Sequence, residues 1–82
     1  MVFAKMKVIT VRYFASIREQ LGRGSDELDP GGIINAADVW QKAAGSPAPS
    51  RILVAINQEY ASLDQTVAPG DEVAFFPPVT GG

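Results

Sequence analysis

The residues best placed to take part in a reaction are the two glycines at the end of the sequence, Gly81 and Gly82. Glycine has no side chain and tolerates backbone conformations that other residues resist, so such a segment can enter a narrow active site on another protein. The terminal carboxylate is ionised at pH 7 and does not react with nucleophiles until it is activated. Attack of its oxygen on the α-phosphate of a nucleotide would give an acyl-adenylate, and a sulfur donor would then leave a thiocarboxylate on Gly82.

The residues before the glycines favour this carrier chemistry over a merely frayed terminus, which a glycine pair alone would equally fit. Pro77 and Pro78 cannot donate to a β-ladder, so they end the last strand and stiffen the segment beyond it. The six residues after Phe76 span at most about 20 Å. No side chain from Val73 onward is charged, so insertion would desolvate only backbone and one carboxylate.

Composition excludes several classes of function. The 82 residues suffice for one small domain, and 46% of them are hydrophobic. The sequence has no cysteine and no histidine, which removes disulfides, thiolate metal sites, the usual general base and the commonest zinc ligand. We therefore expect no bound metal, no intrinsic cofactor and no enzyme activity by this chain alone.

Charge and hydropathy limit the partners. The formal net charge is −2 and the seven basic residues are scattered, so we expect no nucleic-acid partner. No apolar stretch approaches the roughly 20 residues that cross a bilayer, and the first residues lack the pattern of a secretory signal. These patterns predict a cytoplasmic protein that does not associate with membranes.

Alternating residues predict the strands that must position the tail. The first strand is expected over Lys7–Tyr13 and the last over Glu72–Phe76. Val73 and Phe75 should face the core, whereas Ala74 and Phe76 should face outward. Further strands are expected over 25–28, over 52–57 and near 60–61. On the first strand, the side chains expected in the core are Ile9, Val11 and Tyr13, and Phe14 follows on the outward parity.

Two helices are expected between these strands. The first covers Ala15–Leu21 and ends at Gly22, which is placed to adopt the left-handed region. The second covers about 34–44, with Asn35 as a possible cap and Gly45 as its end. Its buried face is expected to hold Ile34, Ala37, Trp40 and Ala44.

This order of elements predicts an α+β fold of the β-grasp (ubiquitin-like) type, a mixed sheet with a helix on one face. The expected domain covers residues 1–76, of which 1–5 form a loose extension. Residues 77–82 are expected to be a flexible tail.

The tail and two internal segments resemble the small subunit of molybdopterin synthase. The resemblance is strongest over residues 70–82, which read GDEVAFFPPVTGG. It extends to AINQ at 55–58 and to VRYFA at 11–15. Residues 1–5, Gly31–Gly32 and 45–51 depart from that family's pattern.

The resemblance implies a sulfur carrier whose C-terminal glycine is adenylated, with ATP, by an E1-like activating enzyme. A cysteine desulfurase or rhodanese system would supply the sulfur. The tail, formed by Pro77, Pro78, Val79, Thr80, Gly81 and Gly82, would then insert into the large subunit. There the sulfur would pass to cyclic pyranopterin monophosphate to make molybdopterin, in a heterotetramer of two small and two large subunits.

Phe76 is the strongest candidate for a partner contact, because its parity opposes that of the core residue Phe75. Phe14 lies on the corresponding outward parity of the first strand, and Tyr60 would complete a patch. The resemblance places partner contacts at these three residues. For Phe14 the alternative is that it covers the edge of the first helix, and for Tyr60 a purely structural role is equally open. Trp40 is expected to pack in the core.

Three other functions remain open at this stage. A thiamine-pathway sulfur carrier and a ubiquitin-like protein modifier would use the same fold and a similar tail. The third is a non-catalytic β-grasp binding module with an inert tail. β-Grasp iron–sulfur ferredoxins are excluded because the sequence has no cysteine.

Overall fold

The structure is a computed structural model that describes residues 7–78. The expected extension at 1–5 and the tail residues Val79, Thr80, Gly81 and Gly82 lie outside the described residues. Residues 7–78 form five strands and two helices. In chain order these are β1 (Ile9–Tyr13), α1 (Ala15–Leu21), β2 (Ser25–Leu28), α2 (Ala36–Ala44), β3 (Leu53–Ile56), β4 (Glu59–Ala61) and β5 (Glu72–Phe76).

The five strands form one mixed sheet in the order β2-β1-β5-β3-β4. The neighbouring strands β1 and β5 pair in parallel, and every other pair is antiparallel. Parallel strands cannot be joined by a tight turn, and here all the other helices and strands lie between β1 and β5 in the sequence. The predicted β-grasp architecture is confirmed.

Alternation along β1 and β5 places the core on one face of this sheet, as the sequence predicts. Ile9, Val11 and Tyr13 are at most 1% exposed, and Val73 and Phe75 are fully buried. Burial of side chains of this size contributes about 1.5–3 kcal/mol each. The centre of the sheet is therefore also the centre of the hydrophobic core.

Helix α2 covers this core and is held at both ends. The Asn35 side chain accepts a hydrogen bond from the Asp38 backbone, and the Asp38 side chain accepts from the Asn35 backbone, which completes a capping box. At the other end Gly45 adopts φ 76°, a left-handed conformation that glycine takes without strain. Trp40 is 4% exposed and packs edge-on to Phe75 at 5.1 Å, which confirms its predicted place in the core.

The predicted start and buried face of α2 were partly wrong. Ile34 is 69% exposed and lies outside the helix. Its backbone oxygen accepts a hydrogen bond from Val67, and its backbone N–H donates to Asp38, so it belongs to an extended segment before the cap. The buried residues of α2 are Ala36, Val39 and Trp40. Of the predicted buried face, only Trp40 is among them.

Three strand boundaries also differ from prediction by one or two residues. Strand β1 begins at Ile9 and not at Lys7. Strand β3 covers Leu53–Ile56 and not 52–57. Its end is earlier than predicted because Asn57 adopts φ 52° and belongs to a turn. Helix α1 matches its predicted range and ends at Gly22 with φ 73°.

Among the described residues, no helix is long and apolar enough to cross a bilayer. Over the same range, no three of the residues that commonly ligate metals are grouped closely enough to hold an ion.

Candidate functional site

Three aromatic rings lie together on the sheet face opposite the core, and we call Phe14, Tyr60 and Phe76 the aromatic patch. The rings of Phe14 and Phe76 stack with centroids 4.8 Å apart and planes within 6°. Tyr60 lies on the other side of Phe76 at 6.2 Å. Phe14 is 42% exposed and Tyr60 78% exposed, whereas Phe76 is partly covered by its two neighbours. The structure thus brings together the three residues that the sequence selected.

The end of β1 positions Phe14. Its backbone N–H donates to Phe75, which extends the pairing of β1 with β5 by one residue. Its carbonyl accepts from Ile17 and Arg18, so the first turn of α1 begins immediately. Ala15, the next residue, adopts φ 52°, a conformation that costs a non-glycine residue roughly 1–2 kcal/mol. This abrupt change of direction holds the Phe14 ring against the sheet.

A tight hairpin positions Tyr60. Between β3 and β4, Asn57 and Gln58 both have positive φ, 52° and 70°, as a two-residue hairpin turn requires. The Asn57 side chain accepts a hydrogen bond from the backbone of Glu72 and donates one to Asp71. The hairpin that carries Tyr60 is therefore fastened to the start of β5.

Two alanines form a depression beside the aromatic patch. Ala55 and Ala74 are directly opposite each other on β3 and β5, and both point to the outer face. The same cross-strand row continues to Arg12 on one side and to Tyr60 on the other. The result is an open cleft of about 420 Å³ between the aromatic patch and a charged edge. The residues that line it are Arg12, Phe14, Ala55, Gln58, Tyr60, Glu72, Ala74 and Phe76.

An ion pair closes the edge of this cleft away from the patch. Arg12 Nε lies 2.6 Å from Glu72 Oε2, and the two side chains are 53% and 30% exposed. The sequence patterns did not single out Arg12, Glu72, Gln58 or the two alanines as parts of a site. Outward parity was the available signal for Arg12 and Ala74, but the register that makes them neighbours was not visible in the sequence.

The described part of the tail leaves the sheet beside the aromatic patch. Phe76 ends β5, and Pro77 and Pro78 follow outside any strand, the first partly buried and the second exposed. They adjoin a shallow groove formed by α1 and by residues 49–52. Since Phe76 belongs to the patch, any protein that takes up the tail meets the patch within one or two residues.

A polar cluster of Tyr13, Arg23 and Asp26 lies on the core side of the sheet. The Tyr13 hydroxyl and Arg23 Nε both donate to Asp26 Oδ2, at 2.7 and 2.6 Å. Arg23 also donates to the carbonyls of Leu21 and Ala43, which ties the ends of α1 and α2 to β2. Burial alone would raise the pKa of Asp26, but the hydrogen bonds from Arg23 and Tyr13 outweigh it and lower that pKa. Burial and the bond to Asp26 raise the pKa of Tyr13 far above its ordinary range.

Comparison with known proteins decides the family. A model described as "ThiS family" matches residues 11–82. The chain is 36% identical over 84 residues to the "Molybdopterin synthase sulfur carrier subunit" of Escherichia coli, an alignment that covers 92% of this chain and all of that protein. The chain belongs to the ThiS family. A Haemophilus influenzae protein of the same name is also 36% identical, with the same coverage.

Solved structures agree with the β-grasp fold of this ThiS-family chain. The crystal structure of H. volcanii small archaeal modifier protein 1 superposes with a TM-score of 0.75 at 27% identity. The superposition covers 89% of this chain and 99% of that one. The family match includes the tail residues that the sequence selected, Val79, Thr80, Gly81 and Gly82, and thus extends beyond the described structure.

Proposed function

We propose that this chain is a sulfur carrier that supplies the sulfur of molybdopterin as the small subunit of molybdopterin synthase. The observation that carries the proposal is near-complete alignment with two proteins of that name, each 36% identical. The PPVTGG end and the aromatic patch at its root supply a chemical reason for the same role.

The proposed chemistry takes place on Gly82 and uses catalysts from other proteins. A carboxylate oxygen attacks the α-phosphate of ATP and displaces pyrophosphate, which leaves an acyl-adenylate. A persulfide on the sulfur donor then attacks the acyl carbon and displaces AMP, and a thiol reductant cleaves the resulting acyl disulfide, which leaves a thiocarboxylate. An E1-like enzyme would supply the ATP site, and a cysteine desulfurase or rhodanese system would supply the sulfur. The proposed location is the cytoplasm, where ATP is available to that enzyme.

The proposed division of labour follows from what the sequence lacks. Without cysteine or histidine, the chain has no thiol nucleophile and no residue whose ordinary pKa lies near 7. It offers an acyl group and a docking surface, and the large subunit would bind cyclic pyranopterin monophosphate. Pro77 and Pro78 would stiffen the tail so that Val79, Thr80 and Gly81 extend into the partner's site, in a heterotetramer with the large subunit.

Intact-mass measurement tests this proposal. The protein is purified from cells of its own organism that make molybdenum cofactor, and its mass is compared with that of protein from cells lacking the activating enzyme. We expect a mass increase equal to replacement of one oxygen by sulfur, confined to the C-terminal peptide. Deletion of Gly82 should abolish both this increase and molybdopterin formation while leaving the unfolding midpoint unchanged. Molybdopterin formation by the folded deletion variant would refute the proposal.

The similarity to a modifier protein favours a second candidate, a ubiquitin-like tag joined to other proteins. The H. volcanii relative bears that name and shares 27% identity. A tag would use the same acyl-adenylate but pass the glycine to a lysine amine and form an isopeptide bond. Covalent conjugates that disappear on deletion of Gly82 would support this role. Capture of a thiazole synthase would instead indicate the thiamine-pathway carrier.

A further inference from the structure

The cleft beside the aromatic patch has a shape that the patch alone does not explain. Across the middle of the outer face, one row of directly paired residues runs Arg12, Ala74, Ala55 and Tyr60. The two central members end at Cβ, whereas both outer members are long. A row with short side chains in the middle and long side chains at both ends forms a concave pocket. The aromatic patch borders it on the side of the tail, and Glu72 on the opposite side.

We propose that this cleft is a socket for one protein partner, which inserts a large apolar side chain between Ala55 and Ala74 and offers a carboxylate to Arg12. The inference rests on the proposed function, because the partner meant is the large subunit that receives the tail. The aromatic patch would give contact area common to several partners. The socket would select among them.

The point at which the chain leaves β5 identifies the occupant as the receiving protein. Phe76 and Ala74 are outward residues of the same strand, and Pro77 follows Phe76 directly. Because the patch residue Phe76 directly precedes Pro77, a protein whose pocket accepts the last residues lies next to the outer face at the end of β5, beside the cleft. One docking event would thus fill the socket and thread the tail.

The exposure of the charged edge identifies the complementary group. Arg12 is 53% exposed and Glu72 only 30%, so the guanidinium is the more accessible of the two charges. Among residues 7–78, Arg12 donates one hydrogen bond, from Nε to Glu72. A guanidinium has five N–H donors, so those on its terminal nitrogens remain for a partner. Glu72 holds the Arg12 side chain over the rim, which reduces the entropy lost when it binds a carboxylate.

Two kinds of substitution test the socket against the large subunit of molybdopterin synthase from the same organism. Ala74→Leu fills the floor, and Arg12→Glu reverses the accessible charge without touching the core. We expect each to weaken binding about tenfold or more, measured as Kd by calorimetry. Arg12→Gln should remove the weakening of binding by salt, since it removes the attractive charge and leaves Glu72, whose repulsion of the partner's carboxylate salt screens.

Thr10→Leu is the matched control, because Thr10 faces outward on β1 but does not line the cleft. It should leave Kd within twofold of that of the unaltered protein. Urea unfolding of every variant verifies the fold, and Arg12→Glu, an exposed change, remains informative even if Ala74→Leu unfolds the sheet.

The outcomes separate this inference from the proposed function. If Ala74→Leu and Arg12→Glu both bind like the unaltered protein, and that protein still acquires sulfur on its C-terminal peptide, the socket is refuted and the carrier role stands. If the unaltered protein neither binds the large subunit nor acquires sulfur, the socket and the proposed carrier role are both refuted. Weakening by Thr10→Leu equal to that by Ala74→Leu would also refute the socket, since the effect would then belong to the whole face.

Discussion

The ring of Phe14, at the end of the first strand, stacks on the ring of Phe76, at the end of the last strand, with centroids 4.8 Å apart. Stacked aromatic pairs contribute about 0.5–1.5 kcal/mol beyond their buried area. This pair joins β1 to β5 at the point where the tail begins. It therefore links the stability of the domain to the surface on which a partner would dock.

The first prediction concerns this pair. Phe14→Ala should lower the free energy of unfolding by about 1 kcal/mol, and a double-mutant cycle with Phe76→Ala should give a coupling of about 0.5–1.5 kcal/mol. Because both rings are also proposed partner contacts, binding of the large subunit should weaken by more than the loss of stability alone explains. Urea unfolding and calorimetry measure the two effects. A coupling near zero would show that the stacking does not contribute to stability.

The second prediction concerns pH. The pKa of Asp26 in the folded protein lies below its ordinary value of 3.8, so between the two values the unfolded chain binds more protons than the folded one. The contribution of Asp26 to the free energy of unfolding is thus fully present above pH 3.8, and it is lost as the pH falls through the folded-state pKa. Urea unfolding as a function of pH measures this slope, and Asp26→Asn should reduce it. An unchanged slope in Asp26→Asn would contradict the assignment.

The third prediction concerns the hairpin. Gln58 has φ 70°, where a residue with a Cβ is strained and glycine is not. Gln58→Gly should raise the free energy of unfolding by about 0.5–1 kcal/mol. This value is the backbone strain relieved in the folded protein minus the cost of the greater conformational entropy that glycine gives the unfolded chain. Asn57→Ala is the contrasting variant and should destabilise, because it removes the bonds to Asp71 and Glu72. Destabilisation by Gln58→Gly would show that its side chain, and not the turn, determines stability there.

The fourth prediction concerns the start of α2. Asn35→Ala removes the acceptor that caps the Asp38 backbone and should cost about 1 kcal/mol. Asn35→Asp keeps an acceptor of the same length and should cost much less. Urea unfolding at a constant m-value separates the two variants. Equal losses would contradict the role of the Asn35 oxygen as the cap of α2.

Much of the fold follows from local patterns. The inward residues of β1 and β5 alternate with period two, and the helix ends at Gly22 and Gly45 carry the residue that a left-handed cap requires. The side of the sheet that bears Phe14 and Phe76 follows from the same alternation. The chemistry expected of Gly82 depends on residue type and position alone, and it stays a prediction.

What the sequence did not disclose depends on long-range pairing. Ile34 satisfies a helical spacing, yet its hydrogen bond with Val67 holds it in an extended segment outside the helix. The opposition of Ala55 and Ala74 arises from the register of two strands that are distant in the chain, as does the pairing of Arg12 with Glu72. Neither residue in either pair carries a local signal for the other. The aromatic patch was therefore predictable and the cleft beside it was not.

The central place of β5 has a consequence for how the protein is made in the cell. Strand β5 lies between β1 and β3 and follows both of them in the sequence, so during translation the sheet lacks its middle strand until all the other elements have been synthesised. Native pairing across the sheet can form only after β5 has been synthesised, because β1 and β3 both pair with β5. A nascent chain interrupted before β5 would expose its apolar face to chaperones and proteases. Only polypeptides synthesised through β5 would complete the sheet, so that a folded domain contains the strand that precedes the proposed reactive end.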